Sequence, residues 1–335
     1  MILPPLFIQG MGGLGDCLHQ RAILRQLMQR HTVTLMTPWP AMYHDLEGLI
    51  LVRRGIQLRT QMKNERRESE ATQFIAHHPL TRSTGLRIAY GGQQVLQTPS
   101  KTVLEVMCDI TNTIYADADY RLPVPQEWFD LLRGTFDWPG LAAIIGTPKP
   151  IMFYRPLVTR TEYRGSTLRN ADPVAYRELF NSIRDKFFVV SVADLEEGKE
   201  WLVDPEDTKP ELSFHKGELV LEAMVALARL SDLVFTSSGF AAILGPAVET
   251  PTISIIGGYE DARCHDSGAK FAPYLSISPR VGCSCWTSGC QKVCDKSLDM
   301  DAAKAAVLKF VSQTCIQIGD KPVRNMLHIS DTAAS

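Results

Sequence analysis

No apolar run in this 335-residue chain approaches the roughly 20 residues that a bilayer-crossing helix needs, so no such helix is expected. The net charge is −2, too small a bias of either sign for a protein coated along its length with nucleic acid, although a local patch is compatible with it. The opening residues lack a basic n-region, and Pro4 and Pro5 interrupt their short apolar stretch. A secretory signal is therefore not expected, and the expected compartment is a reducing cytoplasm. The eight cysteines then read as thiols or metal ligands rather than disulfides. The eight histidines show no metal-ligand spacing, and neither an internal repeat nor a low-complexity segment occurs. What is present is ordinary for a soluble globular protein, with 45% hydrophobic and 21% charged residues. The length suits two domains of about 150 residues each.

Short β-like runs alternate with helical patterns along the chain, the signature of parallel α/β layers. Strands are expected at 6–9, 33–36, 49–52 and 86–90, and helices at 18–30 and 102–110. Pro123, Pro125, Pro139, Pro148 and Pro150 then punctuate a stretch that reads as an interdomain connection. A second α/β series follows, with strands at 151–154, 187–192, 233–236 and 252–256. Its helices are expected at 173–184, 218–230, 240–248 and 300–311. Two Rossmann-like domains, 1–145 and 146–320, with parallel sheets facing across a cleft are therefore expected, followed by a loosely ordered tail, 321–335.

The stretch GMGGLGD carries the first chemical question. Gly10, Gly12 and Gly15 satisfy G-x-G-x-x-G directly after an apolar run, as in a dinucleotide-binding loop. Such a site also places an acid at the end of the second strand to hold the ribose. That position reads Leu35-Met36-Thr37-Pro38, with neither a carboxylate nor an arginine. The other reading is that the glycines let a substrate approach the backbone while Asp16 stands at the start of a helix. Asp16 is then either a helix N-cap or a catalytic base.

GGLGDCLHQRAILRQL resembles the opening of the ADP-heptose:lipopolysaccharide heptosyltransferases, glycosyltransferase family 9. That resemblance implies the GT-B fold, an acceptor in the N-terminal domain and a nucleotide sugar in the C-terminal one. It maps the family's presumed base onto Asp16, with Gly12 and Gly13 at the acceptor; His19, beside the base, reads either as an ordinary helix residue or as lining the acceptor pocket. LARLSDLVFTSSGFAAILGPAVETPTISIIG resembles the family's donor segment, so Ser237, Ser238, Gly239 and Phe240 are expected at the diphosphate. A helix start flanked by hydroxyls suits that ligand, although Ser-Ser-Gly is also an ordinary cap. Arg169 in LRNADPVAYREL is the nearest match to the family's phosphate-contacting cation, and Arg155 opens the same basic loop. The run Asp194-Leu195-Glu196-Glu197 is where the family can place a ribose-binding acid, Glu196 among the candidates. Asp194 with Glu197 also fits a capping box. The chain departs from the family in carrying Ser237 and Ala242 where a heptose-holding aspartate and histidine are usual. A different sugar or nucleotide is compatible with that departure.

Three further patterns complete the reading. Cys283, Cys285, Cys290 and Cys294 could supply a tetrahedral thiolate set for a structural zinc, although the spacing lacks paired C-x₂-C knuckles. Asp117-Ala118-Asp119 matches the D-x-D metal motif of another glycosyltransferase fold, but sits in a polar run and reads as a surface turn. Between residues 53 and 87 there are eight Lys and Arg against three Glu, including Arg66 and Arg67. This segment reads either as a solvated loop or as a site for an anionic acceptor.

The expectation is thus an inverting, metal-independent glycosyltransferase. It would use a nucleoside-diphosphate sugar as co-substrate and an anionic saccharide or glycolipid acceptor of the lipopolysaccharide-core type, in peripheral contact with the inner membrane face. Three alternatives stand beside it: transfer to modified DNA bases, an NAD(P) oxidoreductase using the glycine loop, and a non-catalytic sugar-nucleotide or nucleic-acid binding protein.

Overall fold

The computed structural model describes residues 3–53, 84–90, 92–98, 101–161, 169–203, 209–258, 260, 262–281, 295–314 and 327. These form two compact units. Among the described residues, the first gathers the chain up to Pro123 together with Arg263–Phe271, and the second takes Val124–Ala262 and the described segments that follow Phe271.

In the first unit β1 (Leu3–Gln9), α1 (Leu14–Leu27), β2 (His31–Thr37), β3 (Ile50–Arg53) and β4 (Thr84–Arg87) come in chain order. The four strands make one sheet, ordered β3-β2-β1-β4, with every pairing parallel. Two helices follow, α2 (Gly92–Gln97) and α3 (Val103–Thr111). Helix α3 starts at Thr102, whose hydroxyl accepts the Glu105 amide while the Glu105 carboxylate accepts the Thr102 amide, a capping box.

Helix α1 is pinned through its inner face. The Arg21 side chain is fully buried and donates to the Arg121 carbonyl at 2.8 Å and to Asp45 at 2.8 Å. A buried guanidinium is tolerable only with such a set of acceptors. Further along, His19 is 1% exposed and meets the Tyr120 ring edge-on at 5.3 Å. Tyr120 in turn packs on Phe271 at 4.6 Å, and Lys270 donates to the carbonyls of Tyr115, Ala116 and Ala118. The late segment Arg263–Phe271 is thus tied into the first unit.

The second unit begins where the sequence suggested a connection. Residues 126–146 form two helices, α4 (Gln126–Thr135) and α5 (Trp138–Gly146). The prolines start them rather than break them: Pro125 is the N-cap of α4, and Pro139 stands in the first turn of α5. Helix α4 packs on a later helix of the second unit, α7 (Leu221–Leu230), and Phe136 meets Phe214 at 5.5 Å. The units therefore part at Pro123/Val124 instead of at 145/146.

The remaining elements are β5 (Ile151–Tyr154), β6 (Val158–Arg160), α6 (Pro173–Asn181), β7 (Phe188–Val192), β8 (Glu200–Leu202) and β9 (Leu212–Phe214). After α7 come β10 (Leu233–Ser237), α8 (Phe240–Ala247), β11 (Thr252–Ile255), β12 (Tyr274–Ile277) and α9 (Met300–Thr314). Six strands form a parallel sheet ordered β12-β11-β10-β5-β7-β9, while β6 and β8 pair antiparallel beside it. Strands β5, β7, β10 and β11 are buried at every residue, as a sheet covered on both faces requires. The core joins these strands to α6 and α9 through Tyr154, Tyr176, Phe180 and Phe235, whose rings lie 4.3–6.0 Å apart. Among the described residues no helix is long and apolar enough to cross a membrane.

Burial, with His265 adding to it, pushes the His19 imidazole down from 6.5 to about 3. The unfolded chain therefore binds the extra proton first, so stability falls as pH drops below about 6.5. Between pH 6.5 and about pH 4.5 the His19 share is about 2 kcal/mol. Urea titrations across this range should show that slope, and His19→Leu should flatten it. An unchanged slope in the variant would mean that His19 is not the group titrating.

Candidate active site

In a doubly wound parallel sheet, a crevice opens at the carboxyl edge where neighbouring strands send their connections to opposite sides. In the first unit this point lies between β1 and β4, and the glycine loop leaves β1 there. The Gly10 amide donates to the Met36 carbonyl at 3.2 Å, and a Cβ on Gly10 would stand 2.9 Å from Gln20 Oε1. Gln20 Oε1 accepts the Met11 amide at 2.7 Å, and the Trp39 indole donates to the Gly12 carbonyl at 2.7 Å. The loop is therefore tied down by the protein's own side chains. Where a dinucleotide site would need a ribose-binding acid after the second strand, the chain places buried Thr37 and Trp39. The geometry gives the NAD(P) reading neither a free Met11 amide nor that acid.

Asp16 is the third residue of α1, whose N-cap is Gly13 with no side-chain cap among the described residues. The N-cap alternative for Asp16 is thus not realised. Its carboxylate folds back over Gly13, where an added Cβ would stand 2.6 Å from Oδ2. A Cβ on Gly13 would displace the Asp16 carboxylate from this position, whereas the Gly13 φ of −76° suits any residue. On the other side the Tyr90 phenol donates to Asp16 Oδ1 at 3.0 Å. Tyr90 lies three residues past β4 and carried no signal in the sequence beyond membership of an apolar run. Of the two readings of His19, its burial fits the ordinary helix residue packed inside the unit and not an acceptor contact.

The second unit repeats the arrangement with opposite charge. Its strand order is doubly wound, and the crevice lies between β5 and β10. Arg155 follows β5. Its amide donates to the Phe235 carbonyl and its guanidinium to the Val192 carbonyl, both at 2.9 Å. Burial, reinforced by Arg160, lowers its pKa from 12.5 to about 10, with Asp194 and Glu200 opposing. It stays charged at neutral pH, and an incoming anion would relieve the cost of its burial. Strand β10 ends at Ser237, whose hydroxyl accepts the Ala171 amide at 3.2 Å. Ser238 Oγ is buried with no partner among the described residues. Gly239 then adopts φ +135°, ψ −158°, and α8 starts without a side-chain cap, so Ser-Ser-Gly is not the ordinary cap it could have been. The amides at the start of α8, Phe240 first, and the Ser238 hydroxyl suit an anion. Ala242 is fully buried and offers the crevice nothing.

Arg169 reaches the same carboxyl edge, its carbonyl packed on Gly257 just after β11, but its guanidinium pairs with Glu260 at 2.5 Å. Residues 194–199 form no helix, so the capping-box alternative for Asp194 and Glu197 is not realised. The Glu196 amide donates to Glu200 Oε2 at 2.9 Å, and its carboxylate takes the Lys199 ammonium. His215, unnoticed in the sequence, follows β9 and meets Ser191 Oγ at 2.9 Å. Burial lowers its pKa, Glu218 opposing and Arg155 assisting.

In the D-x-D sequence, Asp119 pairs with Arg25 at 3.1 Å and Arg121 at 2.9 Å, in keeping with a structural turn. Among the described residues no three side chains cluster as metal ligands. Arg66, Arg67, Cys283, Cys285, Cys290 and Cys294 lie outside the described residues.

No family model matches the chain, and no curated protein matches it in sequence. Solved structures do match in fold. One is the iron-containing dodecameric glycosyltransferase TibC from enterotoxigenic E. coli, at a TM-score of 0.57 and 13% identity, covering 94% of this chain and 77% of that one. TibC in complex with ADP-D-β-D-heptose matches at a TM-score of 0.54 and 12% identity, with the same coverage. A family 9 glycosyltransferase from Veillonella parvula gives 0.52 at 13% identity over 82% and 86% of the two chains. E. coli ADP-heptose lipopolysaccharide heptosyltransferase II gives 0.52 at 11% identity over 91% and 99%. The chain therefore has the GT-B fold in the form seen in family 9 structures.

Gly239 separates space from backbone conformation, because a Cβ there would meet nothing within 4 Å. Its φ of +135° is nonetheless disfavoured for any other residue. Gly239→Ala should therefore lower the unfolding free energy by about 1–3 kcal/mol in denaturant titrations, purely through strain. Wild-type stability in the variant would show that this turn relaxes without the glycine.

Proposed function

We propose that the chain is a GT-B glycosyltransferase that moves a sugar from a nucleoside-diphosphate sugar to a hydroxyl of an anionic acceptor, with inversion and without a metal in the transfer step. The observation that carries this reading is that each unit has a polar switch point of its own, Asp16 in the first and, in the second, Arg155, Ser238 and a helix start with no side-chain cap among the described residues, on a family 9-like fold. The first unit would present the acceptor and the second would hold the donor.

Asp16 would take the proton of the acceptor hydroxyl as its oxygen attacks the anomeric carbon. The bond from that carbon to the diphosphate oxygen breaks on the opposite face, which inverts the configuration. Negative charge then grows on the departing diphosphate. Arg155, the α8 amides and the Ser238 hydroxyl can stabilise it without a divalent ion. Arg169 stands at the same edge, shared with Glu260. Engagement of Asp119 by two arginines supports keeping the D-x-D pair out of the chemistry.

TibC has been solved with ADP-D-β-D-heptose, which supports a nucleotide sugar here as well. Since Ser237 is tied to Ala171 and Ala242 is buried, the turn lacks the polar groups proposed to hold heptose, and a different sugar is favoured. The acceptor we favour is a phosphorylated core saccharide or glycolipid at the inner membrane face, met by the basic segment that includes Arg66 and Arg67.

Nucleoside diphosphates and their sugars should raise the melting temperature while NAD and NADP do not. Stabilisation by NAD(P) alone would sink the proposal. Asp16→Asn should cut turnover by at least about 10²-fold with donor affinity kept, the scale of a lost general base. Arg155→Met should weaken nucleoside-diphosphate binding, and EDTA should leave transfer intact. Activity that needs Mn²⁺ would bring Asp117 and Asp119 back. Tight duplex-DNA binding with a steep salt dependence would turn the acceptor towards nucleic acid.

A further inference from the structure

The Asp16 carboxylate faces a problem common to acids in the first turn of a helix: its own backbone amides compete for it. A base turned onto those amides is badly aimed at a substrate. In this chain a second element intervenes. Tyr90 reaches Asp16 Oδ1 with its phenol at 3.0 Å, across 74 positions of sequence. Oδ2 lies over Gly13, where an added Cβ would stand 2.6 Å from it. Both residues are referenced to one strand. The glycine loop leaves the end of β1, and the Ile88 amide, two residues before Tyr90, donates to the Gln9 carbonyl of β1 at 3.3 Å. The parallel pairing of β1 with β4 thus fixes the phenol and the carboxylate in one frame.

We propose that Tyr90 is a positioning residue that holds the Asp16 carboxylate towards the crevice between β1 and β4 and keeps it ionised through a phenol–carboxylate hydrogen bond. This rests on the reading of Asp16 as the base. Tyr90 acts through Asp16 and itself moves no proton along the reaction. A neutral donor to a carboxylate favours the charged form, so losing the hydroxyl makes the base easier to protonate. The lost aim lowers the rate of the chemical step, and substrate binding is spared.

The test is a kinetic cycle of wild type, Tyr90→Phe, Asp16→Asn and the double variant, measured as sugar transfer across pH, with melting temperatures as folding controls. Tyr90→Phe should lower kcat by about tenfold or more through misalignment, with KM for both substrates unchanged. The acidic limb of its kcat/KM profile should move to higher pH. In the Asp16→Asn background the same change should cost nothing further, because residues acting as one unit are not additive. An unshifted acidic limb with kcat intact overturns the role of Tyr90 while leaving Asp16 as the base. An equal loss in both backgrounds makes Tyr90 a structural residue only. Full turnover by Asp16→Asn overturns the base and, with it, any positioning by Tyr90.

Discussion

A parallel sheet exposes the carboxyl ends of all its strands along one edge, and the chain can leave a crevice there only where adjacent strands send their connections to opposite sides. Most of the chemistry-bearing residues of this protein stand along that edge in one or other unit. Between β1 and β4 it gathers the glycine loop, Asp16 and Tyr90. Between β5 and β10 it gathers Arg155, Ser238 and Gly239. Charge is divided as the proposed reaction needs it: a carboxylate where a hydroxyl must lose a proton, a cation where a diphosphate must depart.

The two edges obtain their polar groups by different means. In the first unit, loop polar groups that a dinucleotide could use are taken by side chains, Gln20 on the Met11 amide and Trp39 on the Gly12 carbonyl. The glycines serve close packing: Gly10 against Gln20 and Met36, Gly13 against the Asp16 carboxylate. In the second unit the Ser238 hydroxyl is left without a partner among the described residues. Gly239 takes a backbone conformation that other residues rarely adopt, and α8 begins without a side-chain cap among the described residues. Arg155 is held by two backbone contacts, the Phe235 and Val192 carbonyls, and its lowered pKa reflects a charge that the protein has only partly compensated.

The same residue types thus have unlike fates in the two units. Arg21 is buried and spent on the Arg121 carbonyl and Asp45, so it fastens α1. Arg169 keeps more than half of its side chain exposed yet closes on buried Glu260, which ties the loop before α6 to the backbone after β11. His19 and His215 are both driven towards neutrality by burial, one inside the first unit and one beside Ser191 at the edge of the second.

The α/β alternation and nearly every central strand can be read from the residues alone, because strands buried on both faces are rich in continuous apolar runs. Strand β5 falls on the four residues expected, and β7, β10 and β11 within one residue at either end. Asp16 and the Ser-Ser-Gly turn were legible because short-range patterns bracket them: a strand before, a glycine at the turn, a helix after. Prolines at 125 and 139 misled, since a proline that opens a helix and one that breaks a strand look alike until the following turn is seen. Short β6, β8 and β9 carry too few residues for a period to show. The folded chain alone reveals that Asp16 is no cap, that the Tyr90 phenol donates to it, that His19 faces inward and that Glu260 engages Arg169. The contacts of Tyr90 with Asp16 and of Glu260 with Arg169 join residues far apart in the chain, and a hydrogen bond or ion pair across 74 or 91 positions leaves no local pattern to read.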